Sequence, residues 1–244
     1  MRIYKFLNKH FALMALRERR FKVSRLTQLN DPFEMFALAV ADRTPRFALQ
    51  MTQFDLNGRA GWACFSRTWK NPVVWAHYAD SHRGLCLGFD VPDELTKPIE
   101  YVKTREQFPD NLGESDQAAA LAVMKRILFT KFDDWRYEDE IRLTVRLDKN
   151  DETQDGLQFI DWGETLRLVE VIVGANSPTC KRELEHALVG CEHPVAFIKA
   201  AVSIEAFEMT ASPDPIRNHD DLMYYIRRGR ILHPTEFYRE PMPM

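Results

Sequence analysis

The sequence predicts an α+β fold in which a mixed, mainly antiparallel sheet carries flanking helices, and three observations lead there. Short segments of alternating or continuous apolar character recur along the chain, RIYKF, GWACFS, LCLGFDV and LRLVEVIVGA among them. Between them lie stretches with helical spacing and helix-starting residues, such as KHFALMALRERR and PTCKRELEHALVG. No internal repeat, low-complexity tract or linker-like stretch interrupts the 244 residues. Residues 1–244 therefore read as a single domain, with 212–244 a C-terminal helix and extended tail.

The elements follow in order. RIYKF is a short strand, KHFALMALRERR places Phe11, Met14, Ala15 and Glu18 at helical spacing, and FKVSRL returns to alternation. In LTQLNDPFEMFALAVAD, Asn30 or Asp31 caps a helix that has Pro32 at its first position. Residues from about Thr44 to Asn57 are helical, Asn57-Gly58 is a turn, and GWACFS is a strand. NPVVWAHYADSHRG is helical after its proline, with Trp75, Tyr78 and His82 on one face, and Gly84 lets the chain turn into the central strand LCLGFDV. IEYVKT is a strand, and after a polar loop Ser115 caps the helix DQAAALAVMKRILFTK. WRYEDEIRLTVRL alternates like a strand with one wet face, and LQFIDWG and LRLVEVIVGA add two more. PTCKRELEHALVG is a helix, and VAFIKAAVSIEAFEMTA holds one long strand or two adjacent ones.

Composition narrows the function classes. A 45% hydrophobic share supports a core, and the formal charge of −3 from 33 basic and 36 acidic residues provides no global field toward nucleic acid or a membrane. Nucleic acid is thus not favoured as a partner, and no membrane partner is expected. The four cysteines, at 64, 86, 180 and 191, lack metal-site spacing and read as reduced, buried thiols. The apolar runs fall far short of the roughly 18 residues a membrane helix needs, and nothing marks the chain for export, so a cytoplasmic location is expected. There is no GxGxxG, no Gly-rich loop ending in Lys-Ser/Thr and no GxSxG. His77 and His82 are five apart, on different faces of a helix, so no metal site using both is expected.

Three stretches concentrate chemistry. NDPFE combines an amide, carboxylates and an aromatic; Asn30 and Asp31 either cap a helix or face a ligand from a rigid turn. WAHYADSHRG gathers Trp75, His77, Tyr78, Asp80, His82 and Arg83, more polar groups than a purely packing helix needs, which points to a ligand wall. WRYEDEIR contains Trp135, Tyr137 and Arg142 and sets Glu138 and Glu140 two apart, on one face of a strand. Such crowding of carboxylates is unfavourable unless a cation or ligand lies between them. Pairing across the strand to Lys or Arg competes there with presentation to a sugar or a cationic leaving group.

With YKF, LNDPFE, CFS, NPVVWAHYADSHRGLCLGFD and the W-x-YE-x-E-x-R set in this order, the sequence resembles the bacterial domain-of-unknown-function family twenty-nine seventy-one over most of its length. More distantly, its layout resembles the ADP-ribosyltransferase superfamily, which implies a split sheet and NAD as cofactor. By that resemblance Tyr4 or Lys5 contacts the NAD phosphates or ribose, Ser66 matches a serine motif and Tyr78 stacks on nicotinamide. Trp75 and His77 lie beside Tyr78 on the cofactor side. Glu140, with Glu138 as accessory, is the catalytic carboxylate holding the nicotinamide ribose. The second motif is Cys-Phe-Ser, and the first strand lacks the Arg or His of that superfamily. The resemblance also implies an unknown macromolecular acceptor and a toxin or phage-defence setting. Two other readings stay open: a non-catalytic nucleotide-sensing or protein-interaction module, and a metal-dependent nuclease with Asp31, Glu138 and Glu140 as ligands. The basic run Arg227-Arg228-Gly229-Arg230 either serves such a nuclease or is a solvated helix end.

Overall fold

Asn8 ends one element and begins the next. Its side chain accepts a hydrogen bond from Phe11 N at 2.9 Å, capping a helix directly after the first strand. In the computed structural model, which describes residues 1–33, 38–39, 43–107, 117–148, 153 and 156–216, this gives strand β1 (Arg2–Leu7) and helix α1 (Lys9–Glu18). Strand β2 (Arg20–Val23) follows, then β3 (Leu38–Ala39), α2 (Arg43–Arg59), β4 (Ala60–Ser66), α3 (Pro72–Tyr78) and β5 (Leu85–Asp90). Next come β6 (Thr96–Pro98), β7 (Glu100–Val102), β8 (Glu106–Gln107), α4 (Gln117–Leu128), β9 (Thr130–Phe132) and β10 (Glu140–Arg146). The described chain closes with β11 (Gln158–Asp161), β12 (Arg167–Val173), α5 (Lys181–Ala187), β13 (Ala196–Val202) and β14 (Met209–Ala211).

The protein is an α+β fold around an eight-stranded sheet of order β14-β13-β12-β5-β1-β4-β10-β6, antiparallel except where β12 runs parallel to β13. Side chains alternate between its faces. One face, with Ile3, Phe65, Leu85, Leu87, Phe89 and Ile141, packs against α1 and α5. The other face carries Cys86 and Ile172 under Trp75 and Ala79, the buried residues of α3 and its C-cap. The buried side of α1 is Ala12, Leu13, Ala15 and Leu16, while Phe11 is exposed.

The sheet is divided near its middle. Strand β1 pairs with β5 along its whole length, from Arg2 opposite Asp90 to Leu7 opposite Leu85, and β4 pairs with β10 from Ala60 to Ser66. Between β1 and β4 the register holds a single pair, Tyr4 opposite Ser66. β4 ends at Ser66, and where both strands run on, from Lys5 on β1 and back from Phe65 on β4, no further pair forms, which leaves a seam.

Several local expectations differ from the structure for identifiable reasons. Asn57-Gly58 is the last turn of α2, where the Asn57 carboxamide oxygen accepts from Thr27 N and Oγ1, both at 3.1 Å, and so does not organise a local turn. The helix expected after Pro32 is absent from the described residues there: Asp31 Oδ1 accepts from Phe33 N at 2.8 Å in a short turn, and Leu38–Ala39 is a strand. Helix α4 stops at Leu128, and Thr130–Phe132 leaves as a strand beside β7. WRYE is not strand. Asp133–Glu138 forms a 3-10 helix, supported by Arg136 Nε on Asp133 Oδ1 at 2.6 Å, and Asp139 in a left-handed conformation (φ 42°) re-aims the chain into β10. β10 has no wet face at its start, because Glu140, Ile141, Arg142 and Leu143 are all buried. The final apolar stretch resolves into two strands, β13 and β14. All four cysteines are free thiols, but only Cys86 and Cys180 are buried. Ser115 and the tail from residue 217, including Arg227, Arg228 and Arg230, lie outside the described residues.

Candidate functional site

The register of the three central strands builds the floor of the site. Tyr4 on β1, Ser66 on β4 and Glu140 on β10 are successive Cα partners across the sheet, which puts their side chains in one row on the α3 face. Helix α3 forms a wall over that row. Pro72 at its first turn and Asn71 at its N-cap start it, the Asn71 oxygen accepting from Val73 N at 2.9 Å. The same carboxamide donates to Tyr137 O at 2.8 Å and ties the helix to the 3-10 turn that carries Glu138. A cavity of about 220 Å³ lies at the seam, lined among others by Tyr4, Lys5, Asn30, Ser66, Tyr78, Lys131, Glu138 and Glu140.

At its centre two carboxylates share a cation. Lys131 Nζ, on β9, donates to Glu138 Oε2 at 2.6 Å and to Glu140 Oε2 at 3.2 Å, with all three side chains buried. Arg142 donates from Nε to Glu140 Oε1 at 2.7 Å and from its terminal nitrogen to Oε2 at 3.2 Å, and its other terminal nitrogen reaches Leu128 O at 3.0 Å. The Cys64 thiol lines the same cavity. Tyr78 donates its hydroxyl to Glu138 Oε1 and receives a hydrogen bond from Asn30 Nδ2. Tyr101 Oη accepts from Glu140 N at 2.8 Å and fixes the strand start.

The two carboxyls are shifted in opposite directions. Burial alone raises both; for Glu140, Arg142 and then Lys131 outweigh it and hold the carboxyl below the ordinary glutamate range. For Glu138 burial prevails over Lys131 and Tyr78, and its carboxyl is raised. Desolvation first, then the bond to Glu138, raises the Tyr78 phenol. Three donated bonds hold the Glu140 carboxylate, two from Arg142 and one from Lys131. Glu138 accepts two among the described residues and keeps lone pairs for a ligand.

The juxtaposition of Glu138 and Glu140 thus follows from a different geometry than strand alternation, and the cation required between them is Lys131. Lys131 carries no distinguishing sequence signal: it reads as the end of a helix in LFTK. Tyr101 and Cys64 were likewise not legible as site residues.

Of the other candidates, Tyr4, Lys5, Asn30 and Ser66 line the cavity. Burial raises the Tyr4 phenol, helped by the negative charge of Glu170. Lys5 Nζ donates to Cys64 O at 3.0 Å above the Phe21 and Phe65 rings, and burial lowers its pKa. Ser66 Oγ accepts from Thr68 N at 3.4 Å. Trp75 does not reach the cavity: it is fully buried in the core under α3, with Nε1 donating to Trp69 O at 2.6 Å. His82 is off the helix, which ends at Tyr78, and its ring stacks on Trp75 at 6.3 Å between centroids. Asp80, Ser81 and His82 adopt left-handed conformations in succession to reverse the chain. Gly84 serves that reversal by lacking a side chain, since a Cβ there would lie 2.1 Å from Leu7 O. Arg83 pairs with Asp80 at 3.1 Å in solvent. His77, Tyr137 and Trp135 form an aromatic strip beside the cavity, with centroids 5.7 and 6.0 Å apart in turn. Asp31 is absorbed by its own turn and does not line the cavity with the two glutamates. Among the described residues, no group of three His, Cys, Asp or Glu side chains is placed to hold a metal ion.

No helix among the described residues is long and apolar enough to cross a membrane. Compared with family models, curated proteins and solved structures, the chain matches none.

Proposed function

We propose that the seam cavity is the active site of an NAD-dependent ADP-ribosyltransferase-like enzyme acting on a macromolecular acceptor, in a toxin or phage-defence setting. The observation that carries this reading is the row Tyr4, Ser66 and Glu140 across three strands at a parted sheet, roofed by Tyr78 and Glu138. Cleaving the bond between nicotinamide and ribose develops positive charge on the sugar, which a fixed, water-poor carboxylate site stabilises. Glu140 supplies an ionised carboxylate held by Arg142. Glu138, with open acceptor capacity and raised proton affinity, accepts a hydrogen bond from a ribose or acceptor hydroxyl, and takes the proton of the acceptor hydroxyl as that oxygen bonds to the ribose carbon and nicotinamide departs. Tyr78 offers a ring for nicotinamide. The cavity is smaller than the roughly 300–1,000 Å³ of common ligand pockets, so it suits the nicotinamide riboside half of NAD and leaves the rest outside.

The test is nicotinamide release from NAD in the presence of candidate protein and nucleic-acid acceptors. Wild-type protein is expected to release it, and Glu138→Gln and Glu140→Gln are expected to lose at least a hundredfold in rate, compared at temperatures where each variant is folded. Full activity in the Glu140→Gln variant, or no release with any acceptor, overturns the assignment.

A further inference from the structure

A second cleft, of about 350 Å³, opens on the other side of Lys131, which lines both cavities. Its walls are Phe33, Val102, Lys103, Thr104, Arg105, Thr130 and Phe132. Two features set it apart from an ordinary surface hollow. Phe33 and Phe132 leave 56% and 45% of their surface exposed and line the same cleft, so two rings are open to a ligand together. Lys103 and Arg105 supply its charge, since the Lys131 ammonium is taken up by Glu138 and Glu140, and among the described lining residues there is no carboxylate. The Arg105 guanidinium lies over the Phe33 ring at 5.0 Å, extending a planar, cationic surface next to the aromatic one.

Exposed rings interleaved with cations and hydroxyls recognise a ligand that is flat and aromatic at one end and anionic at the other. That is the chemistry of a nucleotide: the base stacks on a ring, the phosphate meets Lys103 and Arg105, and Thr104 and Thr130 offer hydroxyl partners. We propose that this cleft binds one nucleotide unit next to the seam cavity. Two sources share that chemistry, the adenylate half of a dinucleotide and a nucleotide of a single-stranded acceptor. The cleft stands on its own residues and does not require the transferase reading.

The experiment measures binding of AMP, NAD, nicotinamide mononucleotide and a labelled single-stranded oligodeoxythymidine to the full chain and to Phe132→Ala and Lys103→Glu. Both substitutions are at exposed or rim positions, and a thermal melt verifies folding. AMP is expected to bind wild type and to weaken about tenfold in Phe132→Ala, the loss of one stacking contact. Lys103→Glu is expected to weaken it by a similar factor and to flatten its dependence on salt. If NAD weakens in parallel while nicotinamide mononucleotide does not, the unit is the adenylate half of the dinucleotide. If the oligonucleotide weakens while NAD is unchanged, the unit belongs to an acceptor strand. Binding of AMP, NAD and oligonucleotide that is equal in wild type and both variants overturns the proposal, as does binding of none of them. Absence of nicotinamide release by the wild-type protein with every acceptor, alongside intact AMP binding, would sink the transferase assignment and leave this cleft standing.

Discussion

Replacing Lys131 by methionine tests the electrostatic design of the site most directly. The ammonium lies 2.6 Å from one buried carboxylate and 3.2 Å from another, and its own side chain is 2% exposed. Solvent therefore screens the cluster little. Removing one partner of a buried ion pair costs about 3–5 kcal/mol, because the charge left behind stays desolvated. For a domain of this size each kcal/mol lowers the melting temperature by about 2–4 °C, so the expected drop is roughly 6–20 °C near neutral pH. The pH dependence separates charge from packing. Glu138 already has a raised carboxyl, and Lys131 is the largest force opposing that rise. Without it the folded-state value climbs further. A raised group favours the folded state below its unfolded value and loses that contribution as pH rises through the folded value. The deficit of Lys131→Met should therefore be largest at pH 8 and shrink toward pH 5, and adding Glu138→Gln should recover part of it at pH 8. Melting curves monitored by circular dichroism across that range decide the matter. A deficit that is the same at pH 5 and pH 8, with no recovery in the double variant, would show that Lys131 acts by packing and refute the reasoning.

Other expectations follow from single contacts. Wild-type stability should fall in acid as Glu140 is protonated, since a depressed carboxyl favours folding above its unfolded value and loses that contribution as pH drops through its folded one; Arg142→Met should remove much of this acid limb in urea titrations. Gly88→Ala would put a Cβ 2.5 Å from Glu170 Cγ, so Glu170 must leave its place beside Tyr4; a loss of about 1–3 kcal/mol is expected by urea denaturation. Asn71→Ala removes both the cap of α3 and the bond to Tyr137 O, and should cost about 1–3 kcal/mol while weakening ligand binding at the seam more than Arg83→Ala, whose partner is in solvent. Tyr78→Phe deletes the donor to Glu138 and should slow nicotinamide release with a stability change of only about 1 kcal/mol, seen as a lower kcat in folded protein.

Much of the framework was legible because it depends on local pattern. The apolar run of β5 marks a central strand, and Asn71-Pro72 marks a helix start, as capping physics requires. What the pattern could not convey is where chains meet. Trp75 and Tyr78 look equivalent on a helix face, yet one is sealed into the core and the other opens into the cavity, because β1 and β5 lie beneath the first and the seam beneath the second. Glu138 and Glu140 were legible as a pair by spacing, although a left-handed Asp139, not strand alternation, brings them together. Lys131 was invisible: its role comes from β9 pairing with β7, and no neighbour in sequence announces that.

The single pair Tyr4–Ser66 has a consequence for cooperativity. It leaves β14-β13-β12-β5-β1 and β4-β10-β6 as two plates that share few backbone bonds, so the amides along their common border should exchange with deuterium sooner than those inside either plate. A molecule seated there touches both plates at once and takes the place of the missing ladder. Occupancy would then be felt as mechanical coupling, with protection rising on β1 and β4 together although neither strand forms a new bond to the other.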